Sequence, residues 1–111
     1  MERVKPIIIR DKENNHEYTL EFDRDSVRFA ESRGFKIEDV DDYRMTKVPE
    51  FFWYAFRMHH KGVSQTQAEE LLRKIGGINE QVAERLVSLW VQSYTALGSE
   101  ETKNPEVTVE L

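Results

Sequence analysis

Residues 49–62 read PEFFWYAFRMHHKG, with four aromatic side chains in succession and a fifth two places later. At 3.6 residues per turn, Val48, Phe51, Phe52, Ala55, Met58 and His59 share one side of a helix. Trp53 and Phe56 then widen the apolar arc past half the circumference. Only a wedge holding Lys47, Glu50, Arg57 and Lys61 stays polar, and Tyr54 falls inside it. A helix that is apolar over such a width has to be covered from two directions. The run therefore predicts a central helix and restricts the chain to folds that can surround one.

The segments on either side supply candidate covers. VKPIIIR is β-branched, DKENNHE is rich in turn formers, and YTLEFD sets Tyr18, Leu20 and Phe22 against Thr19 and Glu21. That period of two reads as a half-buried strand, so residues 4–22 predict a β-hairpin, which needs a second layer to be stable in water. Asp25 is expected to cap a short helix ending near Arg33, with Gly34 as its left-handed stop. KIEDVDDYR reads as an acidic connector pinned by Ile37, Val40 and Tyr43. Thr46 is expected to cap the aromatic helix, with Pro49 in its first turn and Gly62 at its end. Ser64 and Gln67 form a capping box ahead of an Ala68, Leu71, Leu72, Ile75 stripe, which Gly76-Gly77 stops. Asn79 caps the last helix, running to about Leu97. The expected fold class is α+β: an N-terminal hairpin packed on a bundle of about four helices, forming one domain over residues 1–98. Residues 99–111 are a polar tail whose Val107, Val109 and Leu111 alternate, so they read either as a late third strand or as a disordered end.

Charge and composition exclude several classes of function. The 111 residues carry a net charge of −5, so the positive field that nucleic-acid binding needs is missing. There is no cysteine for disulfides or thiolate metal sites, and no apolar run nears the ~20 residues of a membrane span. The three-isoleucine patch near the start is too short for a secretory signal, so a cytoplasmic location is expected. His59 and His60 are adjacent, hence about 100° apart on a helix, and cannot chelate one ion. Glu38, Asp39, Asp41 and Asp42 lack the glycine and terminal glutamate of a calcium loop. With no nucleophile elbow and no P-loop either, no catalytic, cofactor or metal site is predicted. SQTQAEELLRKIGGINEQVAERL has the outline of a helix-turn-helix, but its second helix offers Arg85 as its only early base. An acidic DNA-binding regulator is thus the weaker alternative.

Protein interaction remains. In the last helix Val82, Ala83, Leu86, Val87, Leu89, Trp90, Val91, Tyr94 and Leu97 also span about half a turn. Two wide-faced helices offer more apolar surface than a small core readily hides, which predicts an exposed patch. The expected members are Trp53, Trp90, Val91 and Tyr94, with Tyr54 and Arg57 at the polar edge. Tryptophan and tyrosine are favoured interface anchors because they bring large area at low entropic cost.

Two stretches carry a resemblance: YTLEFDRDSVRFAESRGF (18–35) and VPEFFWYAFRMHHKGVSQTQAEELL (48–72). Arg24, Ser26 and Val27, then Gly34-Phe35, then Pro49, Phe52, Ala55 and Phe56 with His59 and His60 carry the match. Over roughly residues 16–97 the chain resembles the tail assembly chaperones of long-tailed phages and prophages of Gram-positive bacteria. The resemblance implies a non-enzymatic protein that binds the tape-measure protein, keeps it soluble and helps recruit tail-tube subunits. It also implies absence from the finished virion; self-association is left open, and a head–tail connector or tail component is the alternative.

Overall fold

The computed structural model describes the backbone of residues 3–97 and the side chains as far as Tyr94. The expectations for the C-terminal tail lie outside the described residues. Two strands, β1 (Ile7–Asp11) and β2 (His16–Leu20), form an antiparallel hairpin in which Ile7 faces Leu20 and Ile9 faces Tyr18. Its turn is held by Asn14, whose backbone and side-chain amides both donate to the Asp11 carboxylate. Those bonds, the side-chain one foremost, hold the Asp11 carboxyl below the usual carboxylate range. Helices α1 (Arg24–Ser32), α2 (Arg44–Tyr54), α3 (Gln65–Lys74) and α4 (Glu80–Leu97) follow, with a single 3₁₀ turn at Ile37–Asp39 between α1 and α2. The architecture is α+β, as the hydrophobic patterns imply.

The caps show where the sequence reading needs correcting. α1 starts two residues earlier than expected, because Asp23 rather than Asp25 forms the capping box with Ser26. Gly34 does take the left-handed stop, at φ 88. α2 is capped by backbone geometry at Tyr43, not by Thr46. The Tyr43 carbonyl accepts from both Thr46 and Lys47, which places Pro49 inside the helix instead of in its first turn. α2 also ends at Tyr54 rather than near Gly62. Beyond it the chain tightens into turns in which Phe56 N–H donates to the Trp53 carbonyl and Arg57 N–H to that of Tyr54. Ser64 and Gln67 make the expected capping box on α3, and Asn79 Oδ1 accepts from Val82 N–H at 2.8 Å at the start of α4.

The core is dominated by rings. Leu20, Phe52, Ala55, Phe56, Ala68 and Leu89 are fully buried, with Phe22, Phe35, Phe51, Tyr54 and Trp90 nearly so. α2 does sit centrally, touching α1, α3 and the 3₁₀ turn. Connector residues Ile37 and Val40 pack on this core as expected, whereas Tyr43 points outward. Glu21, expected on the solvent side of β2, is buried between Arg3 at 3.1 Å and His59 at 2.8 Å. The strand ends at Leu20, and the Glu21 N–H donates to the Ala55 carbonyl, so alternation no longer sets its direction.

Candidate functional site

The six side chains proposed from sequence divide sharply. Trp90 is 1% exposed and packs edge-on against Phe22, Phe35 and Phe51 with centroids 5.2–5.7 Å apart. Tyr54 is 2% exposed and meets Phe35 at 5.2 Å and Phe29 at 5.9 Å. Neither is a surface anchor, which corrects the expectation for both. The physical reason lies in α1 and the Gly34-Phe35 exit, which bring Phe29 and Phe35 over the side of α2 that helical phasing left polar. Trp53 is half-buried, its indole N–H donating to the Val63 carbonyl at 2.9 Å. Arg57 is half-buried with its guanidinium carbon 3.7 Å from the Phe29 ring centre. Val91 and Tyr94 are exposed at 52% and 38%. The hydroxyl of Tyr94 donates to Glu31 across the α1–α4 junction, and partial burial first, then that bond, raises its pKa above the ordinary tyrosine value.

A site that the sequence did not single out lies next to the exposed end of this set. The 3₁₀ turn and the start of α2 stand on one side, the first half of α4 on the other. Between them is an open groove of about 760 Å³. Its apolar lining comes from Val40, Val48, Phe51, Ile78, Leu86 and Val87, and its charged edge from Asp41, Arg44, Glu80 and Glu84. Val87, Val91 and Tyr94 follow at i, i+4 and i+7, so the apolar surface runs on from the groove along one face of α4. The wide arc of α4 was the signal for this surface. Which part of the arc stays open depends on how the 3₁₀ turn and the start of α2 sit against α4, and periodicity carries no information about that.

The walls combine an apolar floor with a charged edge that is mostly acidic. No group of three or more histidine, aspartate or glutamate side chains among the described residues is placed to hold a metal ion. No described helix is long and apolar enough to cross a membrane. A family model described as a domain of unknown function (DUF5055) matches residues 3–111.

The chain belongs to that family. The DUF5055 match takes in every element described above, so the hairpin, the ring-rich core and the groove all fall within the family's domain. No curated protein and no solved structure matches the chain.

Proposed function

We propose that the chain is a tail assembly chaperone of a long-tailed phage or prophage, holding an amphipathic helix of the tape-measure protein in the α2–α4 groove. The groove is the observation that carries this reading. An apolar floor between two elements, open along one side and continued by Val87, Val91 and Tyr94, suits the apolar stripe of a helix read at i, i+3, i+4 and i+7. Asp41, Glu80 and Glu84 outnumber Arg44 at the edge, so the favoured client helix flanks its stripe with lysine or arginine. Acting this way, the protein covers a client stripe that would otherwise aggregate and keeps it soluble until tube subunits are recruited. The role requires no catalysis, and it places the protein in the host cytoplasm and outside the mature particle.

Co-expression with the tape-measure protein tests this. The wild-type chain is expected to move the client from pellet to supernatant. Val87→Asp, which puts a charge on the groove wall at an exposed position, is expected to abolish that effect while the circular dichroism spectrum stays unchanged. Equal client solubility with and without the chain would refute the chaperone reading. Detection of the chain in purified virions would point instead to a structural component.

A further inference from the structure

The hairpin has two edges, and the molecule treats them differently. On the β2 edge the Thr19 N–H donates to His60 Nε2 at 2.9 Å, so it points away from β1. That bond fixes the phase of the hairpin. Ile8 stands opposite Thr19 and Arg10 opposite Glu17, and a pair in which one N–H points outward is a non-hydrogen-bonded pair. Ile8 and Arg10 therefore turn their N–H and C=O groups to the far edge of β1, while Ile7, Ile9 and Asp11 bond across to β2. Among the described residues no group pairs with the four that point outward. β1 thus presents an open edge of two donors and two acceptors, with the Ile8 side chain 42% exposed beside them.

The chain carries a segment of matching pattern. Residues 106–111 read EVTVEL, so Val107, Val109 and Leu111 alternate with Glu106, Thr108 and Glu110. Pro105 stands just before them, where a strand start tolerates a missing N–H. Laid along β1, the valines extend the inner face of Ile7 and Ile9, which pack on the core. The glutamates then share the outer face with the exposed Arg10, which already pairs with Glu17 across the hairpin. Opposite charges on neighbouring strands attract. The tether is also long enough. α4 runs beside β1, where Gln92 Oε1 accepts from the Val4 N–H. The helix ends at Leu97, five residues or ~7.5 Å past Gln92. Residues 98–105 then span up to roughly 26 Å, about twice the length of β1.

We propose that residues 106–111 close the β1 edge as a third strand in the sheet of their own chain, bonded to the backbone of Ile8 and Arg10. The two edges are then shut by different means: a histidine and a turn carbonyl on β2, a strand on β1. This closure does not depend on what the α2–α4 groove binds.

Amide hydrogen exchange of the full-length chain, resolved by residue with NMR, tests it. The Ile8 and Arg10 amides of wild type are expected to exchange at least about tenfold more slowly than those of V107D with V109D, whose charges spoil the inner face. Thr19, held by His60, reports that the hairpin is intact and is expected to exchange at the same rate in both chains. T108E adds charge only on the outer face and is expected to keep the protection. Fast exchange at Ile8 and Arg10 in wild type would overturn the proposal, as would equal protection in V107D with V109D. Protection that grows with protein concentration would assign the edge to a second copy and overturn it too.

Discussion

Trp90 offers the sharpest test of the ring-rich core, because its burial and its hydrogen bonding point in different directions. The indole is 1% exposed and packs edge-on against Phe22, Phe35, Phe51 and Tyr94. Its N–H, however, makes no well-formed hydrogen bond among the described residues, reaching the Tyr94 hydroxyl only closely enough to offset slightly the rise in that tyrosine's pKa. Trp90→Ala removes all four ring contacts and leaves a cavity, at a cost of about 3–5 kcal/mol. Against the roughly 5–15 kcal/mol that stabilises an ordinary domain, that is a large fraction of the total. Trp90→Phe keeps a ring in place. It loses the equivalent of one or two buried methylenes, about 1–2 kcal/mol at ~0.8 each. It also removes a buried unpaired donor, whose desolvation costs about 1–3 kcal/mol. The two effects nearly offset, so Trp90→Phe is expected to lie within about 1 kcal/mol of wild type. Urea titration followed by circular dichroism measures both, with an unchanged m-value as the check that the unfolding reaction is the same. Since the chain has two tryptophans, the variant also leaves Trp53 as the sole tryptophan, which gives an independent optical probe when excited selectively. A Trp90→Phe loss as large as that of Trp90→Ala would show that the N–H is engaged and would refute the reasoning.

Two further predictions follow from single groups. His60 accepts the Thr19 N–H through Nε2, and burial, with its neighbour His59 adding a smaller effect, lowers its pKa from the ordinary 6.5. The unfolded chain therefore binds this proton more readily, so stability rises with pH through the window just below 6.5 and falls as pH drops through it. Urea midpoints for wild type and His60→Gln, whose amide oxygen can still accept, should differ in that slope, the variant being flatter; identical slopes would remove His60 as the cause. Gly34 stands at φ 88 with nothing within 4 Å of where a Cβ would project, so Gly34→Ala should cost about 1–2 kcal/mol from backbone strain alone. A neutral result in thermal melts would show that the α1 exit relaxes freely.

The legible parts of this fold are those governed by local rules. The Ser64–Gln67 box, the Gly34 stop, the Asn79 cap and the alternation of Tyr18 and Leu20 all depend on residues within four positions of one another. They are found where the sequence puts them. The end of α2 was not legible. A run of apolar residues continues unbroken past Tyr54, and nothing in its periodicity says that the chain tightens there. That shortfall carried over to the site. Helical phasing placed Tyr54 in the polar wedge, but Phe29 and Phe35 cover it from a different element. Trp90 was counted as excess because ring surface was compared with an average core, and this core is built largely from rings in edge-to-face contact. The apolar surface left over is mostly not aromatic. Among the described residues it consists of Ile8, Met45, Ile75, Val87 and Val91, with Tyr43 and Tyr94 the only large aromatics.

The paired histidines show how a motif acquires a role that neither composition nor spacing announces. In an antiparallel hairpin, alternate N–H groups of β2 point away from β1; Thr19 is one such residue, and Glu21 lies just past the end of the strand on the same edge. Left open, that edge would present unpaired donors to any passing strand. The Ala55 carbonyl takes the Glu21 N–H at 3.1 Å, and the His60 Nε2 takes that of Thr19 at 2.9 Å. His59, one residue earlier, reaches the Glu21 carboxylate at 2.8 Å. For His60 to accept at Nε2 its proton must sit on Nδ1, whereas His59 must carry one on Nε2 to donate. Two adjacent rings thus carry their protons on different nitrogens. The tight turns after Tyr54 bring both rings to the same strand, with centroids 6.3 Å apart. Their place in the sequence is therefore explained by the strand edge they close.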